Sequence, residues 1–357
     1  MFGYTYDTYS CRAETMSISV GIEVWLQHAN RRLRIGLLSH QAALISTGET
    51  SAQALRRIFG DHFVALFGPE HGFFGQMGAG EKAPTSIHPS WGIPVYSLYG
   101  NVRKPTPEML AGLDLLVVDL QDIGVRCYTY LATLIGALEA CAEANVDCLV
   151  CDRPIPFPGI EDGPVAEPEH FSFVAPCALP FVHGKTHTQV ADWLGLPHLS
   201  SPMVGDATTV FGERPQGIPE FVPPSPAIRS WETARSYPAL VFAEALPQLN
   251  VARTSAYAFR VLAAPWFNGI DLADRLNAVA VPGVRFFDFT QTSAYGAIRL
   301  HITTPAVYRP WRVTCALLNT LQETYGAERL FNHPQAKPEW MTKLYGTTLW
   351  QNVLGKS

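Results

Sequence analysis

The sequence places a glutamate in a turn, Gly68-Pro69-Glu70-His71-Gly72, directly after an apolar run at residues 62–67. Glycine permits close backbone approach and proline presets a turn, so Glu70 can meet a ligand as general acid, base or nucleophile. The competing role is structural, a glutamate that caps a following amide. Two more polar clusters follow apolar runs in the same way, Asp119-Leu120-Gln121-Asp122-Ile123-Gly124-Val125-Arg126 and Asp152-Arg153-Pro154. Neighbouring parallel strands lie roughly 5 Å apart and their C-terminal loops open into one crevice, so Asp119, Asp122 and Asp152 are candidates to join Glu70. Paired carboxylates are what glycoside hydrolysis needs: one protonates the leaving oxygen while the other serves as nucleophile, base or charge support. The alternative is that Asp122 with Arg126, and Asp152 with Arg153, form buried ion pairs that orient a site without reacting.

Other clusters carry less. His183-Gly184-Lys185-Thr186-His187 lacks the glutamate of a zinc H-E-x-x-H helix, so His183 is expected as a polar pocket residue ahead of a helix capped by Thr186. Cys148 and Cys151 lie three apart on an apolar run, where strand alternation sends them to opposite faces as core thiols. Ser39 and the other serines lack a G-x-S-x-G elbow. Gly75-Gln76-Met77-Gly78-Ala79-Gly80 has the wrong spacing for a dinucleotide loop and does not directly follow a strand.

The elements that must position these residues are legible from patterning. Apolar runs at 33–39, 62–67, 95–98, 113–120 and 147–151 alternate with helical patterns at 52–59 and 128–144, the order of a parallel sheet with crossover helices. The predicted class is α/β: a Rossmann-like parallel sheet domain with a second, smaller α+β C-terminal domain. We expect an N-terminal tail at 1–16, the Rossmann-like domain at 17–200, a Pro/Gly/Ser-rich connecting segment at 201–230 and the smaller domain at 231–357. Runs at 258–263, 272–279, 284–289, 298–303 and 311–325 predict strand, helix, two strands and helix there.

With 357 residues, 47% hydrophobic and 16% charged, the chain has the composition of an ordinary globular protein long enough for two cores. A net charge of −5 offers no broad attraction to phosphate backbones or anionic lipid, so neither nucleic acid nor membrane is an expected partner. No run approaches the ~20 apolar residues of a membrane span. Residues 1–16 mix polar and charged side chains where a signal peptide needs an apolar stretch, and seven scattered cysteines fit reduced thiols; both predict a cytoplasmic protein.

At these same clusters the sequence resembles the bacterial exo-β-N-acetylmuramidases of peptidoglycan turnover, a family long catalogued as a domain of unknown function. The match includes Gly36-Leu37-Leu38-Ser39-His40-Gln41, Ala65-Leu66-Phe67-Gly68-Pro69-Glu70-His71-Gly72, Ala79-Gly80-Glu81 and Pro94-Val95-Tyr96-Ser97-Leu98-Tyr99-Gly100. It continues through Arg103-Lys104-Pro105, Asp119 to Arg126 with Tyr128-Thr129-Tyr130, Asp152-Arg153-Pro154, Glu161-Asp162-Gly163-Pro164 and His183-Gly184, and reaches Pro223-Pro224-Ser225-Pro226 and Ala264-Pro265-Trp266. The resemblance implies a cleft between the two domains, Glu70 as the catalytic glutamate, release of terminal N-acetylmuramic acid from peptidoglycan fragments, and no metal or organic cofactor. Candidate catalytic residues are Glu70, Asp122 and Asp152; candidate substrate-binding residues are His71, Glu81, Arg103, Arg126, Tyr128, Arg153, His183 and Arg253. The expected partner is a small amino-sugar or muropeptide substrate.

The second half departs from the family pattern. Ala227 stands where the family usually has Asn, and the segment resembling Gly-Arg-Gly-Thr-Thr-Arg-Pro-Phe-Glu reads Ala252-Arg253-Thr254-Ser255-Ala256-Tyr257-Ala258-Phe259-Arg260, keeping Arg253 and Phe259. The sugar-recognition wall is thus expected to differ, which leaves a sugar-binding or regulatory protein on the same fold as the alternative. Muramic acid carries a lactyl carboxylate, which arginine matches best. With Arg126 and Arg153 expected to be held by aspartates, Arg253 and Arg103 are the expected readers of that group.

Overall fold

In a computed structural model, the described residues are 18–78, 80–81, 84–205, 221–292 and 294–353. The expected tail at 1–16 and half of the connecting segment, residues 206–220, lie outside them. Chain order runs α1 (Gly21–Leu26), β1 (Ile35–Ser39), α2 (Ser51–Phe59), β2 (Phe63–Gly68), β3 (Ser86–Ile87), β4 (Pro94–Ser97), α3 (Pro107–Leu110), β5 (Leu115–Asp119), α4 (Tyr130–Ala144) and β6 (Asp147–Cys151). A hairpin of β7 (Asp162–Val165) and β8 (Pro180–Val182) follows, then α5 (His187–Leu194) and β9 (Leu199–Ser201). The second unit comprises α6 (Trp231–Leu240), β10 (Val261–Ala264), α7 (Gly269–Ala278), β11 (Val284–Asp288), β12 (Gly296–Ile302), α8 (Pro310–Tyr325) and α9 (Pro338–Tyr345).

Seven strands form the main sheet in the order β3-β4-β2-β1-β5-β6-β9. All neighbours pair in parallel except β3, which joins the edge antiparallel to β4. The expected α/β class is what the chain adopts. Strand alternation divides side chains between two cores: Leu116, Val118, Cys148 and Val150 face one, and Leu115, Val117, Leu149 and Cys151 face the other. Cys148 and Cys151 are therefore back to back across the sheet, as their spacing predicts. The six described cysteines are all free thiols.

One core is packed by α1 and α2, whose Ile22, Ala52, Leu55 and Phe59 cover the sheet. Helix α2 starts at Thr50, whose hydroxyl accepts the Gln53 amide while Gln53 accepts the Thr50 amide, a reciprocal cap. The other core runs without interruption from Leu38 through α4 into the second unit as far as Trp350. That unit is built on the antiparallel sheet β10-β12-β11. Because the two units share one continuous apolar core, the cleft between them is held in shape by packing. No helix among the described residues is long and apolar enough to cross a membrane.

Candidate active site

The strand order reverses between β1 and β5, where an open α/β sheet usually binds its ligand. Here the protein fills that position itself. Arg153 forms a bidentate pair with fully buried Asp119, Nε to Oδ1 at 2.6 Å and Nη2 to Oδ2 at 2.7 Å, and donates to the Leu44 carbonyl at 2.7 Å. Ser51, the first residue of α2, donates its hydroxyl to the same carboxylate. Asp119 thus occupies the positive end of α2, where a phosphate would otherwise be held.

The open cavity lies beyond the end of β2, between the two units, with a volume of about 680 Å³. Glu70 enters it from the turn that the sequence marks. The Gly72 amide closes that turn onto the Pro69 carbonyl at 2.9 Å, and His71 adopts a left-handed φ of 73°. The chain then folds back so tightly that a Cβ on Gly68 would come within 2.3 Å of the Phe73 nitrogen. His71 Nδ1 lies 3.0 Å from the Met77 carbonyl, tying the loop to itself. Glu70 is 8% exposed and both its oxygens accept: Oε1 from the Gly80 amide at 2.9 Å, Oε2 from the Thr129 hydroxyl at 2.8 Å. Thr129 is the N-cap of α4, so the helix presents its partial positive end beside the carboxylate. Tyr99 also bonds to Glu70; burial first, then the Glu70 charge and that hydrogen bond, push its hydroxyl up to about 12, so it remains a donor.

A second carboxylate shares the cavity. Glu244, in the turn that follows α6, forms an ion pair with Arg253. Its proton affinity is raised, chiefly by burial and further by the Glu70 charge, against the opposing pull of Arg253 and a hydrogen bond from Trp340. Arg253 also lies over the Phe259 ring, 5.3 Å from its centroid. Arg103 lies over Phe173 at 4.9 Å, and among the described residues no carboxylate pairs with it. With Arg229 and Lys343 the lining holds, among the described residues, four cationic side chains against two acidic ones. A chain of net charge −5 has concentrated positive charge here, as an anionic ligand requires.

Family models for both halves of this architecture match: exo-beta-N-acetylmuramidase NamZ, N-terminal, over residues 35–232, and exo-beta-N-acetylmuramidase NamZ, C-terminal, over residues 235–357. The chain belongs to the exo-beta-N-acetylmuramidase NamZ family. It is 31% identical over 338 residues to the peptidoglycan beta-N-acetylmuramidase NamZ of Bacillus subtilis, covering 89% of this chain and 81% of that protein. A DUF1343 family crystal structure from Bacteroides fragilis superposes with a TM-score of 0.82 at 29% identity, covering 94% of this chain and 90% of that one. A second from the same organism, 21% identical with a TM-score of 0.67 over 95% and 91% of the two chains, shares the fold.

Of the residues singled out in this NamZ-family sequence, the structure gathers Glu70, His71, Arg103, Tyr128 and Arg253 at the cavity. The others are buried elsewhere or close loops. Asp122 accepts the Gly124 amide at 2.9 Å and pairs with His187 Nε2 at 2.9 Å; burial would raise its carboxyl, but His187 leads the contacts that hold it below the usual range. Asp152 accepts the backbone and hydroxyl of Thr188, at 3.0 and 2.6 Å, at the start of α5. Neither aspartate lines the cavity, and the expected ion pairs are exchanged. Arg153 takes Asp119 in place of Asp152, and Arg126 takes backbone carbonyls of Pro164, Leu179 and Tyr345 in place of Asp122. Burial lowers Arg126 to about 10, which leaves it charged at neutral pH. His183 is buried, lowered to about 4 chiefly by desolvation, and Glu81 accepts the Gly78 amide at 2.9 Å. Thr186 caps α5 as expected. Glu244, Tyr99, Thr129 and the α9 residues Trp340 and Lys343 were not singled out for roles from sequence. A signal for Glu244 exists: it is the one acid inside the apolar run Ala239-Leu240-Val241-Phe242-Ala243-Glu244-Ala245-Leu246, whose neighbours draw it inward to a half-buried position.

Proposed function

We propose that this NamZ-family chain is an exo-acting glycoside hydrolase that releases terminal N-acetylmuramic acid, or a closely related acidic amino sugar, from peptidoglycan-derived fragments. The observation that carries this reading is the pairing of Glu70 and Glu244 inside a cavity that is otherwise cationic. Two carboxylates supply the chemistry of glycoside cleavage, and the excess of positive charge fits the lactyl carboxylate of muramic acid.

The environments of the two glutamates divide the labour. Glu70 accepts from the Gly80 amide and from Thr129, which suits a carboxylate acting as nucleophile, base or support for the developing oxocarbenium charge. Glu244, with its raised proton affinity, suits the acid that protonates the departing oxygen. Arg253 holds Glu244 in orientation, and Arg103 is left to meet the lactyl group. Among the departures from the family motif, Tyr257 and Arg260 stack on each other at 5.8 Å and do not line the cavity, whereas Ala227 does. The Glu70–Glu244 pair thus stands behind a wall altered at Ala227, which supports turnover over a binding-only role.

The test is incubation with the β-1,4-linked disaccharide of N-acetylmuramic acid and N-acetylglucosamine, with muramic acid at the non-reducing end. Stoichiometric release of both free sugars is the expected result. Tight binding without release from any muramic or glucosamine glycoside would contradict it.

A further inference from the structure

A second cavity of about 410 Å³ adjoins the first and shares His71 with it. Its wall is made by the loop that leaves Glu70 and by β3 and β4, with Phe73, Phe74, Met77, Ile87 and Tyr96 supplying most of the surface. Phe74 and Ile87 remain 41% and 62% exposed, large apolar groups left open to solvent beside a catalytic turn. Phe74 is braced edge-on by Phe73 at 5.1 Å and lies 5.7 Å from His88, which stacks on Trp91 at 3.9 Å. Ring faces fixed in this way present flat apolar surface to a ligand. Exposed apolar surface in a cavity of this size marks a small-molecule site.

The two cavities differ in charge. Among the described residues the Glu70 cavity is lined by four cationic and two acidic side chains, while no Lys, Arg, Asp or Glu lines the second. An anionic sugar belongs in the first and an uncharged partner in the second. His71 stands at their boundary, next in sequence to the carboxylate that acts on the bond. We propose that the second cavity is the aglycone subsite, taking a neutral N-acetylhexosamine whose apolar face packs on Phe74 and whose hydroxyls meet Ser86, Ser97 and Gln76. This inference rests on the proposed glycosidase activity and adds a direction to it: the acidic sugar lies on the Glu70 side of His71, and the neutral leaving sugar on the Phe74 side.

The experiment compares two substrates on the full-length protein, the muramic acid–glucosamine disaccharide and β-N-acetylmuramyl fluoride, whose leaving group is too small to use the subsite. Phe74→Ala, at an exposed position outside the catalytic cavity, is expected to lower kcat/KM about tenfold on the disaccharide and to leave the fluoride unchanged. Product inhibition by free N-acetylglucosamine should weaken by a similar factor. Equal loss on both substrates, or no loss on either, would overturn the subsite while leaving the glycosidase intact. Absence of turnover by the wild-type protein on both would instead sink the underlying activity.

Discussion

Glu244 and Arg253 form an ion pair on the wall of the cavity that Glu70 enters from the opposite unit. Burial and the Glu70 charge raise the proton affinity of Glu244, and Arg253 restrains that rise. An acid catalyst is active while protonated, so in the proposed acid role Glu244 would set the basic limb of the kcat/KM profile. Arg253→Ala removes the restraint, and the limb is expected to move to higher pH. Glu244→Gln should lose at least about 100-fold on a disaccharide and far less on the fluoride, whose departure needs no proton. A pH profile unmoved by Arg253→Ala would remove Glu244 from the acid role.

With Arg253 engaged by Glu244, Arg103 is the arginine proposed to read the lactyl group. Arg103→Ala is expected to raise KM for muramic glycosides by about 10–100-fold, the loss of a charge-assisted pair, while glucosamine glycosides are little affected. Steady-state kinetics on the two series measures it. Equal changes on both would mean that Arg103 packs the wall and does not read the lactyl group.

The segment that carries Arg253 holds Ala252 at a φ of 52°, where the family motif has glycine. A left-handed alanine is strained relative to glycine, so Ala252→Gly is expected to stabilise the fold by about 1 kcal/mol without loss of turnover. Urea unfolding would detect this. A lower midpoint would show that the loop accommodates the alanine without strain.

His40 and His183 are fully buried and lowered to about 3 and about 4, in each case chiefly by desolvation, with Arg153 adding to the effect on His40. Depressed histidines stay neutral in the fold while the unfolded chain takes up protons below about 6.5. Stability is therefore full above that pH and falls as pH drops toward the folded values, each residue contributing up to about 1.4 kcal/mol per unit. Urea midpoints at pH 7, 6 and 5 should decline accordingly, and flatten in His40→Gln. A constant midpoint from pH 7 to 5 would contradict the burial of neutral imidazoles.

Patterning resolved the sheet because parallel strands buried on both faces, such as Leu115–Asp119, read as continuous apolar runs between helical periods. The two-residue strand β3 and the short hairpin strands β7 and β8 carry no such period. At the site, Glu70 is visible because Gly, Pro and Gly surround it. Asp122 and Asp152 follow strands in the same way, yet their oxygens are consumed by the nearby Gly124 amide and by His187 and Thr188, the last two supplied by tertiary packing. Glu244 comes from the other unit, and only the fold brings it to Glu70. Charge pairing was equally opaque, since sequence adjacency suggested Asp152 for Arg153 whereas strand register delivers Asp119.

The Glu70 carboxylate, held by Gly80 and Thr129, is the group proposed to act on the glycosidic bond. Glu70→Gln keeps the shape and the Gly80 hydrogen bond but removes the charge. Measured on the muramic acid–glucosamine disaccharide, its kcat should fall at least about 100-fold while binding by calorimetry stays within a few-fold of wild type. Turnover close to wild type in Glu70→Gln would contradict the account.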